Sequence, residues 1–64
     1  MCEANVYILH QEKEEPELLL EAVDKIVPSG DDIMLESIFG QRKILKARIK
    51  EMTLLEHKII LEKI

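Results

Sequence analysis

The chain has 64 residues, with 13 acids against 9 bases, a net charge of −4, 47% apolar residues and a single cysteine. A chain of this length buries only about 60% of its unfolded surface, so a partner copy or a metal is the expected aid to folding; one thiol excludes an intrachain disulfide. Acidity argues against strong nonspecific nucleic-acid binding. Apolar runs as short as Leu18-Leu19-Leu20 and Ile59-Ile60-Leu61 fall far below the roughly 20 residues of a membrane span.

Met1-Cys2 opens the chain, and methionine aminopeptidases remove Met1 when so small a side chain follows. The mature N-terminus is then expected to carry an amine and a thiol on one residue, which close a five-membered chelate ring. The Glu3 amide nitrogen adds a second ring if a metal helps to deprotonate it. A mixed nitrogen and sulfur set suits square-planar Ni(II) or Cu(II) better than tetrahedral Zn(II). Two copies meeting near their N-termini would share one site through their Cys2 residues. One thiol and no secretory segment lead us to expect the cytoplasm.

Residues 4–10 are rich in β-branched and aromatic types and alternate at Val6, Ile8 and His10, which predicts a strand. The charged run 11–15 reads as a hairpin loop. Pro16 opens a second apolar stretch to Val23, interrupted at Asp24 before Lys25-Ile26-Val27. Pro28-Ser29-Gly30-Asp31-Asp32 carries the clearest turn chemistry in the chain. Ile33, Leu35 and Ser37 then alternate against Met34 and Glu36, and Gly40 after Ile38-Phe39 marks another turn.

The last third carries two periods at once. Leu45, Ile49, Met52, Leu55 and Ile59 recur at helical spacing. Leu45, Ala47 and Ile49 also alternate strictly with Lys46, Arg48 and Lys50, a strand pattern. Periodicity taken alone favours the helix. Charge divides the chain as well: residues 1–41 hold ten acids against Lys13 and Lys25, and residues 42–64 hold seven bases against Glu51, Glu56 and Glu62. Such halves can attract each other within the fold or between subunits. No repeat, low-complexity tract or linker divides residues 1–64, so one small domain is expected.

The opening Met1-Cys2-Glu3-Ala4-Asn5-Val6-Tyr7, the central Gly30-Asp31, the turn Ile38-Phe39-Gly40 and the closing Glu56-His57-Lys58-Ile59 resemble the CooT family almost end to end. Those are small nickel-binding proteins associated with nickel delivery for carbon monoxide dehydrogenase, and many carry a predicted RNA-binding label. Two positions depart from that pattern: Gln41 stands where an acid commonly follows the Phe-Gly turn, and Ala47 where a glycine precedes the arginine. The resemblance implies that Cys2 ligates Ni(II), and it overrides the helix. It implies an all-β fold, a small antiparallel meander or partly open barrel that forms a homodimer. Strands are then expected over 43–49 and 56–63, joined by 51–55, with Leu45, Ala47 and Ile49 facing the core. A nickel-requiring enzyme or its maturation factors are the implied partners.

His10 and His57 are the other borderline-soft donors, but neither stands at a recognised ligand spacing, and both read as strand histidines. Glu12, Glu14, Glu15 and Glu17 read as a solvated loop, because hard oxygen ligands do not select nickel. No Ser or second Cys lies beside a histidine base, and no phosphate loop or carboxylate pair forms a constellation, so catalysis is not expected. The alternative function is RNA binding through the basic row Lys46, Arg48 and Lys50. That row lacks stacking platforms: Tyr7 and Phe39 are the chain's aromatics, and Phe39 is expected to be buried. A scaffold role without a physiological metal is the third reading.

Overall fold

In the computed structural model, which describes residues 3–64, five strands form a closed barrel in chain order: β1 (Ala4–Leu9), β2 (Glu17–Ser29), β3 (Asp32–Ser37), β4 (Arg42–Thr53) and β5 (Lys58–Lys63). Successive strands pair antiparallel as a meander. A parallel pairing of β1 with β5, from Asn5↔Lys58 to Leu9↔Glu62, closes the ring. The all-β expectation holds, and the barrel closes where a partly open one was a possibility.

Alternation on each strand supplies the interior. Val6 and Ile8, Leu20 and Val23, Ile33 and Leu35, Ala47, Ile59 and Leu61 form one buried cluster. Leu35, Leu61 and Val6 are its fully enclosed members. β-branched and γ-branched side chains at every second position suit a pleated surface with one wet face. Buried Ser37 is the polar exception.

β2 does not stop at Asp24. It runs on through a bulge between Val23 and Lys25, with Ala22 at φ 56 and its N–H donated to Asn5 Oδ1 at 3.3 Å. The bend lets one strand serve two partners, β1 over Glu17–Val23 and β3 from Val23 onward. Pro28 and Ser29 are strand residues, and the turn narrows to Gly30-Asp31, with Gly30 at φ 61.

Strands also occupy the ambiguous last third. In β4, Lys50 is the extra residue of a bulge between Ile49↔Leu61 and Glu51↔Ile60. The apparent spacing of three from Ile49 to Met52 is thus strand alternation plus one bulged residue. Leu45 and Ala47 face inward as expected, while Ile49 sits at the bulge and is 37% exposed. The strand is longer than expected, and its connection to β5 is a single 3-10 turn, Leu54–Glu56, ended by His57 at φ 54. The acidic and basic halves meet across β3 and β4, where Asp32 faces Lys46 at 3.9 Å and Glu36 faces Arg42 at 2.8 Å.

Candidate metal centre at the barrel mouth

Cys2, the predicted thiolate ligand, lies outside the described residues; Glu3, whose backbone amide is the predicted second donor, is exposed at the point where the chain enters β1. The next strand residues fix that entry. Asn5 N–H donates to the His57 carbonyl at 2.9 Å, and Ala4 pairs with Val23. The start of β1 is therefore clamped between the β2 bend and the turn before β5.

Beside it opens a cleft of about 300 Å³. Val23, Ile26, Leu54 and Ile59 give it apolar walls, and Glu3, Asp24 and His57 are among its polar lining. Leu54 and Leu55 stand out on the 3-10 turn at 74% and 93% exposure. Those side chains meet no core, and Met52 beside them is half exposed. The mouth thus joins Glu3 and the start of β1 to an apolar surface.

Among the described residues no three His, Cys, Asp or Glu side chains gather as a metal-holding group. His57 lies at this mouth. His10 follows β1 at the far side, roughly 17 Å away at about 3.3 Å per strand residue, with Nε2 3.4 Å from Glu17 Oε1. Neither histidine is the strand residue expected, since His10 lies past the end of β1 and His57 in the turn before β5. Glu17 is drawn instead to Lys13, whose Nζ lies 3.2 Å away. That hydrogen bond, more than the histidine, holds the Glu17 carboxyl below its usual value.

The basic row is largely engaged. Arg48 holds Glu62 through Nη2 at 2.8 Å and Nε at 2.9 Å, and Lys46 faces Asp32. Lys50 alone of the three has no carboxylate partner among the described residues. Tyr7 is half-buried, with Lys58 Nζ 5.1 Å from its ring centre, so its ring face already holds a cation.

Phe39 overturns its expectation of burial: it is 76% exposed on the β3–β4 turn. Ser37 takes the last inward position of β3, so Ile38 and Phe39 fall in the turn, off the ladder. A buried small polar residue followed by two apolar ones and a glycine was the available signal. The turn is tightly held. Ser37 Oγ accepts the N–H groups of Phe39 and Gln41, each at 3.2 Å. Ile38 N–H reaches the Ala22 carbonyl at 2.9 Å, and Gly40 N–H reaches that of Ser37 at 3.0 Å.

A family model described as CooT, CO dehydrogenase accessory protein, matches residues 1–62. The chain is also similar to the crystal structure of a candidate CooT from Carboxydothermus hydrogenoformans, with 46% identity, 98% of each chain covered and a TM-score of 0.87. No curated protein matches it.

Proposed function

This chain belongs to the CooT family of CO dehydrogenase accessory proteins, and from that premise we propose that it carries Ni(II) to a nickel-requiring CO dehydrogenase, binding the ion through Cys2 at the N-termini of a homodimer. The family is one of accessory proteins, so the chain serves the enzyme and is not one itself.

The observation that supports the reading is the setting of Glu3 and the start of β1. β1 is clamped at Asn5, and Glu3 lines an apolar cleft beside exposed Leu54. The sole thiol is one residue upstream of Glu3. A single chain offers that thiol, one terminal amine and the Glu3 amide nitrogen, a donor set that fits Ni(II) and becomes symmetrical when a second copy contributes its own. The exposed leucines give that second copy an apolar surface to cover. Binding displaces the thiol proton, so affinity rises with pH through the thiol's range.

The test is an Ni(II) titration of protein with a verified Cys2 N-terminus, followed by absorbance and native mass, beside Cys2→Ser. A thiolate-to-nickel band that saturates at one metal per two chains, and disappears in the mutant, is expected. Undiminished binding by Cys2→Ser would remove Cys2 from the site.

A further inference from the structure

The barrel is closed by strand order, yet β2 is longer than either neighbour can cover. β1 pairs with its first half, but β3 joins only at Val23. The side of Glu17–Glu21 turned away from β1 meets no other strand, and no turn or loop backbone bond reaches it among the described residues. The first half of β4 is similarly open on the side away from β3, since β5 begins pairing only at Ala47. Beside the open edge of β2 lies a groove of about 670 Å³, bounded by Leu18–Glu21 on one wall and by Phe39 and Gln41–Lys43, the β3–β4 turn and the start of β4, on the other.

Three features suit this groove to an extended polypeptide. Its β2 edge offers unpaired backbone donors and acceptors, the requirement for adding a strand. Phe39 is exposed on a turn whose backbone is held by the Ser37 hydroxyl and its own backbone bonds, so the backbone that carries this aromatic anchor is ordered before binding. The walls carry opposite charge: Glu21 on one, Arg42 and Lys43 on the other. Lys43 has no carboxylate partner among the described residues, whereas Arg42 is held by Glu36.

A second copy is a poor occupant. Two β2 edges paired antiparallel about Leu19 would set each Glu17 against the other copy's Glu21, and like charges directly opposite destabilise a sheet. RNA is also disfavoured, because the Glu17–Glu21 wall repels phosphates. At Val23, β2 pairs with Ala4 on one side and Ser37 on the other. Ala4 at the start of β1 and Ser37 before the Phe39 turn are therefore about 10 Å apart, two interstrand spacings.

We propose that this groove docks an extended segment of the client CO dehydrogenase, which adds as a strand to β2 at Glu17–Glu21, sets an apolar side chain on Phe39 and points a carboxylate at Lys43. The choice of client rests on the nickel-carrier reading; the groove's chemistry does not. Hydrogen exchange is measured on the nickel-loaded chain, alone and with CO dehydrogenase lacking nickel, and affinity is compared for wild type, Phe39→Ala and Lys43→Glu. Protection at Glu17–Glu21, with binding weakened at least tenfold in each mutant and nickel stoichiometry unchanged, is the expected result. A complex that protects only the mouth around Glu3 and Leu54, and that both mutants form as well as wild type does, overturns the groove while leaving nickel carriage standing. A chain that binds nickel but forms no complex overturns docking on this client. Phe39-dependent binding of single-stranded RNA in place of the enzyme overturns the occupant.

Discussion

Replacing Ser37 by Ala tests whether the β3–β4 turn is held as the structure implies. The Ser37 hydroxyl is buried and accepts two backbone N–H groups, from Phe39 and Gln41. At about 1 kcal/mol for each neutral hydrogen bond, its loss costs ~2 kcal/mol. The cost stays near that figure because Phe39 and Gln41 are exposed residues, whose freed N–H groups water can reach. A chain of this size has roughly 3–10 kcal/mol in total, so one hydroxyl carries a substantial share. Urea unfolding reads it directly: with a slope of about 1 kcal/mol per molar, the midpoint should fall by ~2 M. The thermal midpoint should fall by roughly 8–16 °C. Ser37→Cys, a weaker acceptor of similar size, should land between the two. Amide exchange at Phe39 and Gln41 should accelerate beyond what the global loss explains. A Ser37→Ala midpoint within ~0.5 M of wild type would refute the argument that this hydroxyl pins the turn.

Leu61 is fully enclosed between β4 and β1, and Leu61→Ala should cost about 2–5 kcal/mol, enough to leave much of the chain unfolded by urea titration at 25 °C. Arg42 holds the Glu36 carboxyl below its usual 4.5, chiefly through their hydrogen bond; burial opposes this, and the charges of Arg42 and then Lys25 add to the lowering. Because the folded value is the lower one, this pair stabilises fully above about pH 4.5 and is lost as pH falls through the folded value. Arg42→Gln should bring the Glu36 titration, followed by carboxyl NMR, back toward 4.5 and flatten the acid limb of stability; an unmoved titration would assign the shift elsewhere.

Inward alternation was legible for β1, β3 and the first half of β4, because one buried face leaves a period of two. It was hidden where bulges break that period. One residue inserted at Lys50 turned strand alternation into apparent helical spacing across 45–59. The bend at Ala22 and Val23 similarly made one strand read as two stretches broken at Asp24. Pro28 looked like a turn residue because proline usually stands outside a ladder, yet it is the next-to-last residue of a strand that is paired there on one side only. The Cys2 role rested on residue chemistry and family likeness. Phe39 was misread because apolar character alone does not separate a core position from an anchor: only its place after Ser37, off the ladder, does so.

The exposed apolar residues then fall into an order that a count of them conceals. Among the described residues nine apolar side chains are buried in the barrel, and no aromatic is among them. Phe39, Leu54 and Leu55 were therefore not displaced from the core by accident of size; turns that bear no core-facing position present them outward. Two of the three line the approaches to openings that β2 creates by outrunning its neighbours: Leu54 at the mouth by the chain start, Phe39 at the groove on the other side of the same strand. Because Val23 pairs with Ala4 and Ser37 at once, a strand added beside Phe39 and an ion held at the chain start would share one rigid support. If so, Phe39→Ala should slow nickel delivery in proportion to its loss of docking while leaving Ni(II) affinity unchanged, and a mutant that docks weakly yet delivers at the wild-type rate would break that link.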